Sequence, residues 1–266
     1  MILPLDSLVD SARYPIGGTG PAAYETVVAR GRAALAAEGF CALPRFVHPA
    51  TLARMVQEAV SAIPHGYRRD QQLTAYDSDT LVGLPAGHTA RRTHPYRMRV
   101  IAQDRLPEDG AILSLYREAA LSAFIADLLQ EPALHCCADP LVSCTVTVLD
   151  PGDEHGWHFD SNDFVASLLL QPAASGGSFE FAPALRSEED ENYDAVESVF
   201  DGDRSFLRTP AVDAGTLMLF RGKYALHRVS PVAGDRPRLI ALLSFDRRPD
   251  MVFPVDTRLA AVGRAH

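Results

Sequence analysis

The sequence predicts a mainly β fold, an antiparallel sandwich or barrel of the jelly-roll kind with flanking helices. Turn residues such as Gly176-Gly177 and Gly234-Asp235 divide the second half into short stretches without helical periodicity, which is typical of such folds. One stretch, 164–170, is apolar throughout and therefore indicates a strand buried on both faces. Apolar residues at helical spacing in the first half predict the flanking helices. In the second half, the predicted strands are 155–160, 164–170, 178–181, 216–220, 224–232 and 238–245.

The first half supplies the flanking helices, which we expect to pack outside the sheet. Their apolar residues recur at helical spacing, and Gly39 ends the first of them. A short strand is predicted at 40–46. The predicted helices are 22–38, 49–63 and 112–130.

Two segments have no regular pattern. Segment 67–93 is polar and contains glycine, and both a lid over an active site and a loop on the surface fit it. Segment 186–203 is long and acidic and indicates an excursion over the surface. No linker divides the chain, so 1–266 is predicted to be one domain, with a helical part of about 1–135 and a jelly-roll core of about 136–250.

Composition excludes several classes of partner. A net charge of −9 disfavours nucleic acid, because phosphate binding needs a basic face. The chain has no apolar run long enough to span a membrane, and its first residues lack the pattern of a targeting peptide. The 4 cysteines form no CxxC pair, so we expect buried thiols rather than a zinc site. A reducing, cytoplasmic location is predicted.

The tripeptide His158-Phe159-Asp160, followed much later by His227, is the most informative motif. Alternate residues of a strand face the same side, so His158 and Asp160 point together, about 7 Å apart along the strand. Two histidines and one carboxylate bind non-haem Fe(II) on one face and leave the other face open. With 9 histidines, an H-x-D tripeptide also arises by chance. Its place at a strand end beside the buried stretch 164–170 favours a site.

An arginine follows His227 at the start of an apolar strand. The fork of an arginine pairs bidentately with a carboxylate, as a keto-diacid cosubstrate requires. Arg238 is the preferred candidate because it opens directly into the strand, and Arg236 is the rival two positions earlier.

Three blocks together resemble the Fe(II)/2-oxoglutarate-dependent oxygenases, most closely the group of free amino acid (lysine-type) halogenases and hydroxylases. The blocks are HGWHFDSNDF, GGSFEF and FRGKYALHRVSPVAGDRPRL, and the resemblance is strongest from about 141 to 245. It implies a double-stranded β-helix (cupin-like jelly-roll) core. It also implies Fe(II) bound by His158, Asp160 and His227, 2-oxoglutarate paired with Arg238, and O2 as oxidant.

The residue at position 160 separates two chemistries. In the halogenating members a small residue replaces the carboxylate and a halide occupies the vacated position. Asp160 fills that position here, so the resemblance implies hydroxylation of an unactivated C–H in a free amino acid or similar small molecule. Desaturation or cyclisation by a same-family oxidase stays open, as does a halogenase-like relative. A cupin-like metal-binding protein or isomerase without oxygenase activity is a third alternative, and Arg238 disfavours it.

The resemblance also proposes substrate contacts. His155 matches a substrate-contacting histidine of the amino acid-binding members, although an ordinary loop histidine fits equally well. Arg97 is a candidate clamp for a substrate carboxylate or a solvated arginine. Asn162 and Asp163 either bind a substrate amine or cap the turn.

The chain departs from the lysine-binding pattern in two places. Segment 251–266 has no tryptophan, and Leu242 and Ser244 stand where more polar contacts are expected. Lysine is therefore in doubt as the substrate. A homodimer stays open.

Overall fold

The structure is a computed structural model that describes residues 3–18, 20–162 and 164–266. Short strands make up most of it. They are β1 Phe40–Leu43, β2 Tyr67–Thr74, β3 Thr93–Ile101, β4 His135–Cys136, β5 Cys144–Leu149, β6 Glu154–His158, β7 Phe164–Gln171, β8 Ser175–Gly176, β9 Phe179–Ala182, β10 Leu217–Phe220, β11 Leu226–Val229, β12 Val232–Ala233 and β13 Arg238–Asp246. The helices are α1 Leu5–Leu8, α2 Pro21–Glu38, α3 Pro49–Ala62, α4 Ala111–Tyr116, α5 Ala119–Leu129, α6 Tyr193–Phe200 and α7 Val255–Val262.

One antiparallel sheet curls into a half-barrel. Its strands follow the order β1-β10-β7-β13-β5-β3-β6-β11-β9, and β2 and β4 pair with β3 and β13 outside that path. Strand β3 makes the corner, because Val100 pairs with Thr147 of β5 whereas Tyr96 pairs with His155 of β6. The sheet therefore turns back on itself. The expected mainly β fold with flanking helices is confirmed.

The two faces of β13 have different environments. Leu239, Ala241, Leu243 and Phe245 are buried in the large core beneath the helices. Arg238, Ile240, Leu242 and Ser244 alternate with them and line the inside of the half-barrel. Helices α2, α3, α4 and α5 cover the outer face, with Val28, Met55 and Phe124 in the same core.

The structure adds elements that the sequence did not predict. The helix expected at 112–130 is two helices, α4 and α5, because the chain turns at 117–118. The irregular segment 67–93 begins with β2, paired along its whole length with β3, and its residues Ala75, Tyr76 and Ala90 are buried. The acidic excursion 186–203 contains α6, which buries Val196 and Val199. The helical part of about 1–135 also supplies strands β1, β2 and β3 to the sheet.

The cysteines are free thiols. Cys41, Cys137 and Cys144 are buried and Cys136 is half-buried, as the sequence predicts. Within the described residues, no helix has the length and apolar character needed to cross a membrane.

Candidate metal centre and active site

His158, Asp160 and His227 converge at the centre of the half-barrel. One ligand atom from each lies within 4.8 Å of the other two. Oδ1 of Asp160 is 3.5 Å from Nε2 of His227 and 3.8 Å from Nε2 of His158. Two atoms bound to one ion at about 2.1 Å lie roughly 3.0 to 4.2 Å apart, so these side chains fit a single metal ion without moving far.

Strand pairing produces this convergence. His227 of β11 stands directly opposite His158 of β6 in the antiparallel register. A β-bulge follows, since Val229 pairs with His155 and two residues of β6, Gly156 and Trp157, therefore oppose the single residue Arg228 of β11. The bulge turns His155 to the same side as His158, and the two rings stack with centroids 3.9 Å apart. A regular strand would point them to opposite faces.

Backbone carbonyls orient both imidazoles. Nδ1 of His158 lies 2.8 Å from the carbonyl oxygen of Gly156, and Nδ1 of His227 lies 2.8 Å from that of Ala225. When Nδ1–H donates to such a carbonyl, the Nε2 lone pair faces the ligand position. Burial lowers the pKa of His158 to about 3, which keeps its ring neutral. Neutral imidazoles are the form that binds a metal.

The carboxylate of Asp160 depends on a glycine. A Cβ at Gly222 would overlap the carboxylate oxygen of Asp160 and would lie 2.6 Å from its Cγ. The backbone N–H of Asp160 also donates to the carbonyl oxygen of Gly222 at 3.0 Å. Burial raises the pKa of the Asp160 carboxyl, but the neighbouring His227 and His158 outweigh burial and leave that pKa below its usual range. The carboxylate is therefore ionised and fixed in place.

A cavity of about 230 Å³ holds the three side chains and a buried arginine. Arg238 is 4% exposed, and its Nη1 has no hydrogen-bond partner among the described residues. Burial lowers the pKa of its guanidinium to about 10. A buried guanidinium without an anion is costly, so this cavity is suited to a ligand with a carboxylate.

A second arginine, Arg69 of β2, lines the same cavity. It pairs in register with Met98 of β3 and lies over the Tyr96 ring, 5.5 Å from its centroid. Its Nε is buried without a partner, and burial lowers its pKa. The sequence gives no signal for Arg69, because β2 is polar on both faces and has no apolar alternation. Only its pairing with β3 shows which way Arg69 points.

The remaining predicted residues divide into two groups. His155 and Asn162 line the cavity, and Nδ2 of Asn162 is buried without a partner while its Oδ1 accepts from the N–H of Phe164. Arg97 does not line the cavity, because its neighbours Tyr96 and Met98 take the inner face, and it pairs with Glu154 instead.

Two further predicted residues lie elsewhere. Arg236 is exposed and donates to the carbonyl oxygens of Pro172 and Ala173, because β13 begins only at Arg238. Asp163 lies outside the described residues.

A family model described as Halogenase D matches residues 24–258. The chain belongs to the Halogenase D family. The matched segment contains the three converging side chains together with Arg69 and Arg238. No curated protein sequence matches the chain at a significant level.

Solved structures share the fold of this Halogenase D family member at low identity. A 2OG-Fe(II) oxygenase family oxidoreductase from Burkholderia pseudomallei is 19% identical, with coverage of 84% of this chain and 92% of that one and a TM-score of 0.52. The alpha ketoglutarate dependent carbocyclase SnoK of nogalamycin biosynthesis is 14% identical, with 83% and 86% covered and a TM-score of 0.57. HygX from Streptomyces hygroscopicus, solved with nickel, 2-oxoglutarate and hygromycin B, is 13% identical, with 81% and 86% covered and a TM-score of 0.54.

Proposed function

We propose that this protein is an Fe(II)- and 2-oxoglutarate-dependent oxygenase that hydroxylates a C–H bond of a free amino acid or similar small molecule. One observation carries the proposal: two histidines and a carboxylate meet within 4.8 Å in the cavity that also holds the unpartnered Arg238. That ligand set is typical of Fe(II) oxygenases, and the fold is theirs. When bound, iron, 2-oxoglutarate and O2 supply the oxidising power for the reaction.

Each side chain of the chain has a role in this proposal. His158, Asp160 and His227 would hold Fe(II) on one face. Arg238 would pair with the carboxylate of 2-oxoglutarate that is distant from the metal. The cosubstrate would neutralise a guanidinium that is otherwise buried alone, which supports this assignment over a cupin-like binding protein without a keto acid. The buried surroundings exclude water from the reacting atoms.

Asp160 supports oxidation rather than halogenation, although the family takes its name from a halogenase. A halide on the metal needs the ligand position that this carboxylate fills. Gly222 makes room for the carboxylate, since any side chain there would displace it. We therefore assign hydroxylation as the main reaction. Cyclisation, as in the carbocyclase SnoK, uses the same fold, so the product must be identified directly.

The cavity suggests a substrate that is itself an acid. Among the described residues that line the cavity, two buried side-chain donors besides Arg238 have no partner, namely Nε of Arg69 and Nδ2 of Asn162. His155 lines the same cavity, and its ring stacks on that of His158. A carboxylate held by Arg69 would satisfy the guanidinium and place the rest of a small molecule beside the metal. A free amino acid fits this arrangement.

The experiment that tests the proposal is an anaerobic titration followed by turnover. Fe(II) and 2-oxoglutarate added to the protein should produce a visible charge-transfer band, and admission of air should release succinate. His227→Ala should abolish both signals, while Arg236→Gln, outside the cavity, should retain both. Absence of the band in the parent protein would overturn the proposal.

A further inference from the structure

The part of the cavity that is distant from Arg238 has an uncharged wall. We call it the distal wall, and its residues come from β5, β7, β13 and the loop before β5. Leu242 is opposite Thr145 of β5 on one side and opposite Ser167 of β7 on the other. Ser244 is opposite Val165. The members of the distal wall are Val142, Thr145, Val165, Ser167, Leu242 and Ser244.

The C-terminal helix completes this part of the cavity. Phe253, Thr257 and Ala261 of this region line it as well. Buried Asp139 fixes their position, because it accepts the backbone N–H of Phe253 and pairs with Arg258 of α7 at 2.7 Å. The C-terminal segment therefore adds apolar and hydroxyl groups to the cavity and no charge.

The balance of charge across the cavity is one-sided. Arg69 and Arg238 bring two cations, whereas among the described lining residues Asp160 brings the only carboxylate, which faces His158 and His227. An ammonium at the end of a substrate side chain would have no counter-charge at the distal wall, whereas the α-ammonium of any amino acid lies beside its own carboxylate. Burying an unpaired ammonium costs several kcal/mol, while an alkyl group, hydroxyl or amide is accommodated by leucine, valine, serine and threonine side chains.

We propose that the substrate is a small amino acid-type acid with an uncharged side chain, aliphatic or bearing a hydroxyl or amide, and that Leu242 and its hydroxyl neighbours reject basic amino acids. This inference rests on the proposed function. In this inference the distal wall contacts the substrate side chain and Arg69 binds the substrate carboxylate. Basic amino acids would need an acid that the described part of the wall does not contain.

The test titrates amino acids into the anaerobic protein with Fe(II) and 2-oxoglutarate and follows the shift of the visible band. L-norleucine, L-leucine and L-glutamine are compared with L-lysine and L-ornithine. The side chains of norleucine and glutamine match that of ornithine in length, the side chain of leucine is one atom shorter, and that of lysine is one atom longer. At least one uncharged amino acid should shift the band with half-saturation about 100-fold below that of the basic ones. A shift by lysine or ornithine at equal or lower concentration would overturn the inference, as would no shift by any uncharged amino acid. No band at all would instead refute the proposed function.

A charge variant tests the location of the wall. In the Leu242→Glu variant, the lysine concentration that half-saturates the band shift should be at least about tenfold lower than in the matched Leu242→Gln variant. Only the glutamate supplies a counter-charge for the lysine ammonium. The 2-oxoglutarate band in both variants reports that the metal site is intact. Equal responses of the two variants to lysine would overturn the assignment of Leu242.

An Asp163→Asn variant tests whether this carboxylate is the counter-charge for a basic substrate. A lysine response in the parent that disappears in this variant would also overturn the inference.

Discussion

Gly222→Ala should damage the metal site through one methyl group. The added Cβ would overlap the carboxylate oxygen of Asp160 and stand 2.6 Å from its Cγ and 3.1 Å from its Cβ. Ordinary van der Waals contacts begin at 3.4 Å, so the carboxyl carbon must move by roughly 1 Å and its overlapping oxygen by more. The backbone at Gly222 does not have a positive φ, so the substitution adds no strain of that kind.

The displacement converts into a loss of metal affinity. Ligand distances in metal sites tolerate about 0.2 Å of change. A carboxylate displaced by several times that amount should weaken Fe(II) binding by at least as much as loss of a supporting hydrogen bond does. That is about 10- to 100-fold, or roughly 1.4 to 2.8 kcal/mol.

Fe(II) affinity is measured by anaerobic competition with a chromophoric chelator, and succinate release is measured at saturating iron. Gly87→Ala is the matched control, because a Cβ at Gly87 meets no atom within 4 Å. Unfolding of the two variants without metal should be similar. If Gly222→Ala bound Fe(II) as tightly as Gly87→Ala, the carboxylate of Asp160 would not be a metal ligand in this position.

Further substitutions test the other groups. Arg238→Gln should raise the 2-oxoglutarate concentration for half-maximal succinate release by about 30- to 1000-fold, since removal of one partner of a buried ion pair costs roughly 2 to 4 kcal/mol, whereas Arg236→Gln should not change it. Arg69→Gln should raise the substrate concentration that half-saturates the shift of the visible band by about 10- to 100-fold. Arg97→Gln, which loses only its pair with Glu154, should leave that concentration unchanged. Asp160→Gly should bind Fe(II) less tightly and acquire a visible spectrum that responds to chloride or azide; a response of the parent protein would contradict the assignment of Asp160. Burial lowers the pKa of His94 from 6.5 to about 4, so the unfolded chain takes up a proton that the folded chain excludes, and the free energy of unfolding should fall by up to roughly 3 kcal/mol as the pH drops through that range. Denaturant titrations at each pH should show a flatter profile for His94→Leu, and parallel profiles would count against this origin.

Parts of the fold that depend on local pattern were predictable. The apolar run before Gln171 predicted β7, and helical spacing predicted α2 and α3. Strand β3 also has a local signal, because Tyr96, Met98 and Val100 alternate with polar residues, although no strand was predicted there. The polar strand β2 has no such signal. Its stability comes from hydrogen bonds to β3 rather than from a buried face of its own.

The sequence by itself determined the kinds of chemistry available. Strand alternation predicted that His158 and Asp160 face the same side, and the start of an apolar strand predicted that Arg238 enters the barrel. In the structure β6 ends at His158, and Asp160 reaches the site from the segment after the strand, where its N–H donates to the carbonyl oxygen of Gly222. Only the tertiary structure decided which groups meet. The register of β11 on β6 brings His227 to His158, and a bulge there turns His155 to the same side. The pairing of β2 with β3 selects Arg69 over Arg97 as the cavity arginine. These contacts join residues far apart in the chain, and they depend on which distant strands pair and in which register, which the packing of the whole sheet decides.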